Sequence, residues 1–177
     1  MVIIDTFSRF LCAYPGTDNT GIAAAEALLW HAGYFGFPDT ILSDGGAEYR
    51  NQLIDQYCAL TGSHHQVTLA HSHQENSIVE RANKEINRWL RDLLYDQRRG
   101  ASEWSSALPF AIRLHNNTVV ESTGYTPSEI VFGDSVVTDR RTDGQTDALK
   151  GYQLSNLPVE RIMVVLSLYI SDAVGIW

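Results

Sequence analysis

Cysteine is scarce in this chain of 177 residues, with only Cys12 and Cys58, so a disulfide-stapled secreted scaffold is not expected. No Cys-x-x-Cys pair occurs, and His64, His65, His71 and His73 near Cys58 lack the ligand spacing of a zinc site. Loop and strand roles suit those histidines better. The longest strongly apolar run, Ile162 to Ile170 with Ser167 inside it, is too short to span a bilayer, and Met1 is not followed by a charged-then-apolar leader. Internal repeats and low-complexity tracts are absent. Positive charge is also in short supply. Thirteen Lys and Arg against 21 Asp and Glu give a formal net charge of −8, which argues against a strong free-standing polyanion binder. What remains is a composition with 44% hydrophobic residues, enough for a substantial core, and it fits one α/β domain plus a tail in the nucleus or cytoplasm.

The periodicities order themselves along the chain. Val2 to Ile4 and Phe10 to Tyr14 read as a hairpin around Asp5-Thr6-Phe7-Ser8-Arg9, closed by Pro15-Gly16. Gly21 to about Ala32 reads as a helix and Ile41 to Ser43 as a buried strand. Tyr49 to Thr61 suits a helix ending at Gly62, and His65 to Leu69 suits a strand. A long amphipathic helix follows from about Asn76 to Tyr95. Another runs from about Ser102 to His115, where Pro109 predicts a kink or break. Thr126-Pro127-Ser128-Glu129 has the signature of a helix start, with a capping Thr, a Pro at the first helical position and a Glu that reaches back. Thr138 to Asp147 is polar and reads as a loop.

Two carboxylates stand in recognisable settings. Asp44 ends the apolar run Thr40-Ile41-Leu42-Ser43 before the turn at Gly45-Gly46, and Glu80 lies near the start of the long helix, with 35 residues between the two. A carboxylate at a strand's C-terminal end facing one on a helix is a common way to hold divalent metal. At about 100° per residue, Glu80, Lys84, Asn87 and Arg91 share one helix edge, opposite an apolar stripe of Ile78, Val79, Ile86, Trp89, Leu90 and Leu93. That edge is either a contact line for nucleic acid or a solvated face with a Glu80–Lys84 pair. Trp89 and Trp104 read as core anchors. Gly45-Gly46 is not a phosphate-binding loop, because no Lys-Ser/Thr follows.

Four ordered stretches carry a family likeness: Val2 to Arg9, Phe35-Gly36-Phe37-Pro38 through Ser43-Asp44-Gly45-Gly46-Ala47-Glu48-Tyr49, Ser72 to Asn83, and Thr123 to Glu129 with Phe132-Gly133. Over residues 1–135 the chain resembles the catalytic core of retroviral and retrotransposon integrases, especially gypsy-type elements, with 136–177 a divergent C-terminal tail. The likeness implies an α/β, ribonuclease-H-like mixed sheet flanked by helices. It implies DNA strand transfer with two Mg²⁺ (or Mn²⁺) ions held by three carboxylates. Asp44 and Glu80 match two of these, and no separate cofactor-binding residues are expected. Gln74, Lys84, Asn87 and Arg91 become candidate DNA contacts. Partners would be retroelement DNA ends and target DNA, with homo-oligomerisation and no membrane. His73 and Ser77 depart from the frequent proline and glycine of the family, which alters the loop before Glu80.

Asp5 is the tempting third carboxylate. In the family, however, a motif like Ile4-Asp5-Thr6-Phe7-Ser8 closes the second strand, and the 38 residues between Asp5 and Asp44 leave no room for the additional hairpin expected between catalytic positions. Asp5 is therefore expected to start a turn. The resemblance then implies a core without its first, central strand, leaving unpaired backbone groups on two neighbours. Strand transfer is expected to be impaired. The alternative is a noncatalytic nucleic-acid-binding or assembly remnant of a retroelement polyprotein; a ribonuclease-H-like nuclease fits less well, because the Thr123–Gly133 motif favours integrases.

Overall fold

The computed structural model describes residues 1–16, 20–67, 73–96, 98, 100–133 and 162–166. Side chains at 73–80, 101 and 164–166 lie outside that description, as do the polar stretch Thr138 to Asp147 and most of the expected tail. The first strand, β1 (Val2–Asp5), turns back into β2 (Leu11–Ala13), with Ile3 opposite Cys12 and Ile4 opposite Leu11. The Asp5 carboxylate makes this reversal by accepting from the Ser8 N–H at 3.0 Å, from the Ser8 hydroxyl and, at 3.4 Å, from the Phe7 N–H. Asp5 is a turn residue, as motif order implied.

Helix α1 (Gly21–Phe35) starts at Thr20, whose hydroxyl caps the Ala23 N–H. It leads to β3 (Thr40–Ser43), α2 (Gln52–Thr61) and β4 (His64–Val67), which lies parallel to β3. The long helix α3 (His73–Asp96) begins three residues before the expected start. After a short 3-10 turn at Ala101–Glu103, α4 (Trp104–Asn116) continues through Pro109; of the kink or break expected there, the break does not occur. A proline forfeits one main-chain hydrogen bond. Burial of Ala107, Leu108 and Ala111 beneath α3 holds the helix together on both sides of it. Helix α5 (Pro127–Phe132) forms as its sequence dictates: the Thr126 hydroxyl accepts from the Glu129 N–H and the Glu129 carboxylate accepts from the Thr126 N–H, a complete capping box.

The sheet order is β2-β1-β5-β3-β4, where β5 is Ile162–Leu166. Sequence pattern left the slot between β1 and β3 without an occupant; β5 occupies it, antiparallel to β1 and parallel to β3. The physical reason is the need to pair the backbone groups along two strands whose side chains are buried on both faces. Ile-Met-Val-Val-Leu, apolar and largely β-branched, is suited to a central strand.

Pleating divides the core. Val2, Ile4, Leu11 and Leu42 face one way, onto Ala82, Ile86, Leu90 and Leu94 of α3 and the inner side of α4. Ile3, Ile41 and Met163 face the other, onto Ala24 and Leu28 of α1, Ile54 and Tyr57 of α2, and Tyr49. The free edge of β2 is closed by a side chain. Asn116, at the end of α4, accepts from the Leu11 N–H at 2.9 Å and donates to the Leu11 carbonyl at 2.8 Å.

Candidate metal centre and nucleic-acid face

Asp44 directly follows the C-terminal end of β3. Ser43 beside it is fully buried, and its hydroxyl contacts both the Asp44 carbonyl, at 3.0 Å, and His65 Nε2, at 2.8 Å. A single hydroxyl proton serves both contacts if His65 donates from Nε2 and Ser43 passes its own proton to Asp44 O. Burial lowers the His65 pKa, which favours this neutral ring at neutral pH. The Asp44 carboxylate accepts from the Gly46 N–H at 3.1 Å, folding the Asp44-Gly45-Gly46 turn. Downstream, Asn51 caps α2 through the Leu53 and Ile54 N–H groups. Asp44 thus presents a hard oxygen donor, the type that suits Mg²⁺ or Mn²⁺.

The second expected ligand, Glu80, belongs to α3. Its side chain and that of Gln74 lie outside the described residues, as does His71; from His73 to Ser77 the backbone is helix α3 and not the loop expected before Glu80. The helix itself is placed by packing: Ala82, two residues beyond Glu80, and Leu42, two before Asp44, belong to one buried cluster. Helix α3 also touches β5. Among the described residues no group of three His, Cys, Asp or Glu side chains is assembled for a metal. Asp5 is far from Asp44. It pairs with Met163, three residues back from the rank of Asp44 and two strands across, a separation on the order of 14 Å from standard strand spacings.

Along α3, Ile86 and Leu90 are buried, with Trp89 and Leu93 partly so, as the apolar stripe predicts; Ile78 and Val79 lie outside the description. Lys84 and Arg91 are exposed, and so are Arg81 and Arg88, which the sequence reading missed. The signal was there: positions 81, 84, 88 and 91 fall within an arc of about 80° on a helix turning 100° per residue. Asn87 departs from that ridge. It is half-buried, and its Oδ1, like that of Asn83, is buried without a hydrogen-bond partner among the described residues.

His115 joins three elements beneath this helix. Its Nε2 lies 3.1 Å from the Arg9 carbonyl, its Nδ1 3.4 Å from a Glu85 carboxylate oxygen, and its ring meets Trp89 edge-on. Burial lowers its pKa despite the Arg9 carbonyl and Glu85, which act the other way. The Thr123–Gly133 segment plays a structural part, since Phe132 of α5 packs edge-on against Phe10, which in turn meets Phe35. No helix among the described residues is long and apolar enough to cross a membrane.

Comparison with known proteins agrees with this arrangement. No family model matches the chain. The Gag-Pol polyprotein of feline leukemia virus is 31% identical over 134 residues, 75% of this chain and 8% of that protein. The Pol polyprotein from transposon 412 of Drosophila melanogaster is 25% identical over 134 residues, again 75% of this chain and 11% of that protein. The chain therefore spans about a tenth of the length of the curated relatives it matches. Among solved structures, the HTLV-2 integrase catalytic core domain in complex with magnesium superposes with a TM-score of 0.62 at 24% identity, covering 73% of this chain and 81% of that one. A simian T-cell lymphotropic virus intasome gives a TM-score of 0.66 at 22% identity, covering 81% of this chain and 51% of that one. The ordered motifs, the mixed sheet with its flanking helices and these relatives converge: the chain belongs to the catalytic-core family of retroviral and retrotransposon integrases.

Proposed function

We propose that this chain is an integrase-lineage domain that engages DNA along α3 and holds divalent metal through Asp44 and Glu80, with strand transfer weak because its carboxylate set is incomplete. The observation that carries the reading is the placement of Asp44 at the end of β3, with the β5 backbone alongside bringing Val165 opposite Ser43 and Leu166 next in line. Mg²⁺ or Mn²⁺ bound there would polarise a phosphodiester and activate water or a 3′-hydroxyl as nucleophile. The protein's own contribution is orientation. His65 and Ser43 fix the main chain at Asp44, and the Gly46 N–H steers its carboxylate; Glu80 of α3 is the second ligand of the reading. Arg81, Lys84, Arg88 and Arg91 form a cationic ridge on an otherwise acidic molecule, suited to tracking phosphates next to the metal. Gln74 and Asn87 complete the candidate contacts, with retroelement ends and target DNA as the substrates and a homo-oligomer as the working form.

The ridge also favours a second reading, a nucleic-acid-binding module without chemistry. A strand-transfer assay with residues 1–177 and labelled DNA ends, in Mg²⁺ and then Mn²⁺, separates the two. The expected result is DNA binding with joining at or near background. Robust joining abolished by Asp44→Asn would overturn the weak-transfer reading, and no salt-sensitive DNA binding would sink both.

A further inference from the structure

The turn between β1 and β2 ends on a residue that is costly in both backbone and side chain. Arg9 has a φ of 63°, in the left-handed region where a Cβ is crowded and glycine or asparagine is favoured. Hydrogen bonding across the turn imposes that angle, since the Arg9 N–H donates to the Asp5 carbonyl at 2.8 Å and the Asp5 N–H to the Phe10 carbonyl at 3.0 Å. It does not impose an arginine. Arg9 is half-buried, and its Nη1 is enclosed without a hydrogen-bond partner among the described residues. An enclosed donor with no acceptor destabilises a fold and calls for an explanation. The nearest acid is already engaged: the Asp5 carboxylate accepts from the Phe7 N–H and from the N–H and hydroxyl of Ser8.

The elements packed on this turn bring a second cation to it. The Arg9 carbonyl lies 3.1 Å from His115 Nε2, and Nδ1 of the same ring lies 3.4 Å from the Glu85 carboxylate of α3. Arg81, which is exposed, stands four residues before Glu85 on the same edge of α3. The turn therefore abuts the end of the cationic ridge. Burial lowers the Arg9 pKa, Asp5 acts the other way and Arg81 adds to the lowering, so the two guanidinium groups bear on one another. An arginine nevertheless keeps its charge at neutral pH. With Asp5 held in its turn and Glu85 directed to His115, two like charges converge where an anion is the missing partner.

We propose that Arg9 and Arg81 form a phosphate site that carries the nucleic-acid path off α3 and onto the β1–β2 turn. The inference rests on the reading of α3 as a DNA-binding ridge. A phosphodiester oxygen entering between the two side chains accepts from both and gives Arg9 the acceptor that the fold withholds. The left-handed backbone fits the same account, because strained positions persist where a side chain serves a ligand.

Fluorescence anisotropy with the full chain and a labelled DNA duplex tests this, with urea unfolding alongside. Arg9→Gly removes the guanidinium and relieves the backbone. It should weaken binding about tenfold, as expected for a lost charge-assisted contact, and unfold at or above the parent's urea midpoint. A residue that only supports the fold does not give that combination. Unchanged affinity overturns the inference. Arg9→Gly combined with Arg81→Ala should lose clearly less than the product of the two single losses, because both side chains serve one phosphate. Losses that multiply overturn the shared site. Lys84→Ala separates this inference from the reading beneath it: if that substitution weakens binding and Arg9→Gly does not, the turn is excluded and the ridge stands, whereas no salt-sensitive binding by the parent removes both. Should Arg9→Gly unfold early, Arg9→Asn, which also tolerates the left-handed backbone, takes its place. A lower midpoint for both makes the guanidinium part of the fold and overturns the inference.

Discussion

Asn116 is a polar position whose loss should be costly. Its carboxamide satisfies both the N–H and the carbonyl of Leu11, a residue with no exposed surface, at the edge of the sheet that no strand among the described residues covers. Asn116→Ala removes the donor and acceptor together and leaves two main-chain groups with no partner in a site closed to solvent. Each buried unsatisfied group costs about 1–3 kcal/mol, so for two groups a loss of roughly 2–6 kcal/mol is expected. That is a large share of the roughly 5–15 kcal/mol that holds a typical domain together. Urea unfolding, followed by circular dichroism with the slope checked for constancy, gives the difference. The next residue supplies the control. Asn117 donates to the Arg113 carbonyl at 2.9 Å but is exposed, so water replaces that bond, and Asn117→Ala should stay within about 0.5 kcal/mol of the parent. If the two substitutions cost the same, the edge-closing role of Asn116 is wrong. Asn116→Ala should also promote self-association, because it uncovers a strand edge.

Acidification should destabilise the protein. Burial lowers the folded-state pKa of His115 and of His65 below the ordinary 6.5, so the unfolded chain takes up protons first and stability, complete above 6.5, falls as pH drops below it. His115→Gln should flatten that slope in thermal melts recorded across the range; an unchanged slope would clear His115 of the effect. Thr126→Ala should cost about 1 kcal/mol of unfolding free energy through loss of the α5 cap, and a stability unchanged in urea would show the capping box to be idle. For DNA, each cation removed from the ridge, Lys84→Ala or Arg88→Ala, should weaken binding to unrelated sequences alike. Each should reduce the slope of log K against log salt by about 0.7–0.9 in anisotropy titrations, and no change in slope would remove that residue from the phosphate path.

Local signals read true where one short-range interaction decides the outcome. Thr126-Pro127-Ser128-Glu129 forms its capping box because every partner lies within four residues, and Asp5 makes its turn for the same reason. Pro109 does not break α4, because its cost is set locally while the force that overrides it, burial of Ala107, Leu108 and Ala111, comes from α3. The α3 ridge was legible only in part. Lys84 and Arg91 were found from their alignment with Glu80, whereas Arg81 and Arg88 required asking which cations share an arc with one another. Asn87 fits the arc poorly, and its half-buried amide shows how a side chain near the boundary of an apolar stripe is drawn inward.

The place of β5 was the least legible feature, for a reason general to sheets. Main-chain hydrogen bonding is nearly blind to sequence, so a slot between two buried strands accepts any segment that is extended, apolar and long enough to pair. Nothing in Ile162-Met163-Val164-Val165-Leu166 names β1 and β3 as its neighbours, and its distance along the chain hides the pairing from any local pattern. Catalytic chemistry obeys the opposite rule. A metal site demands a carboxylate at one rank of one strand, and a strand that satisfies the backbone carries no obligation to supply it. A sheet can thus be closed along β1 and β3 by a segment chosen for its backbone alone, as β5 is here. Asp5 illustrates the same division from the other side: it has the right chemistry and lies on a central element, but at the wrong end of its strand.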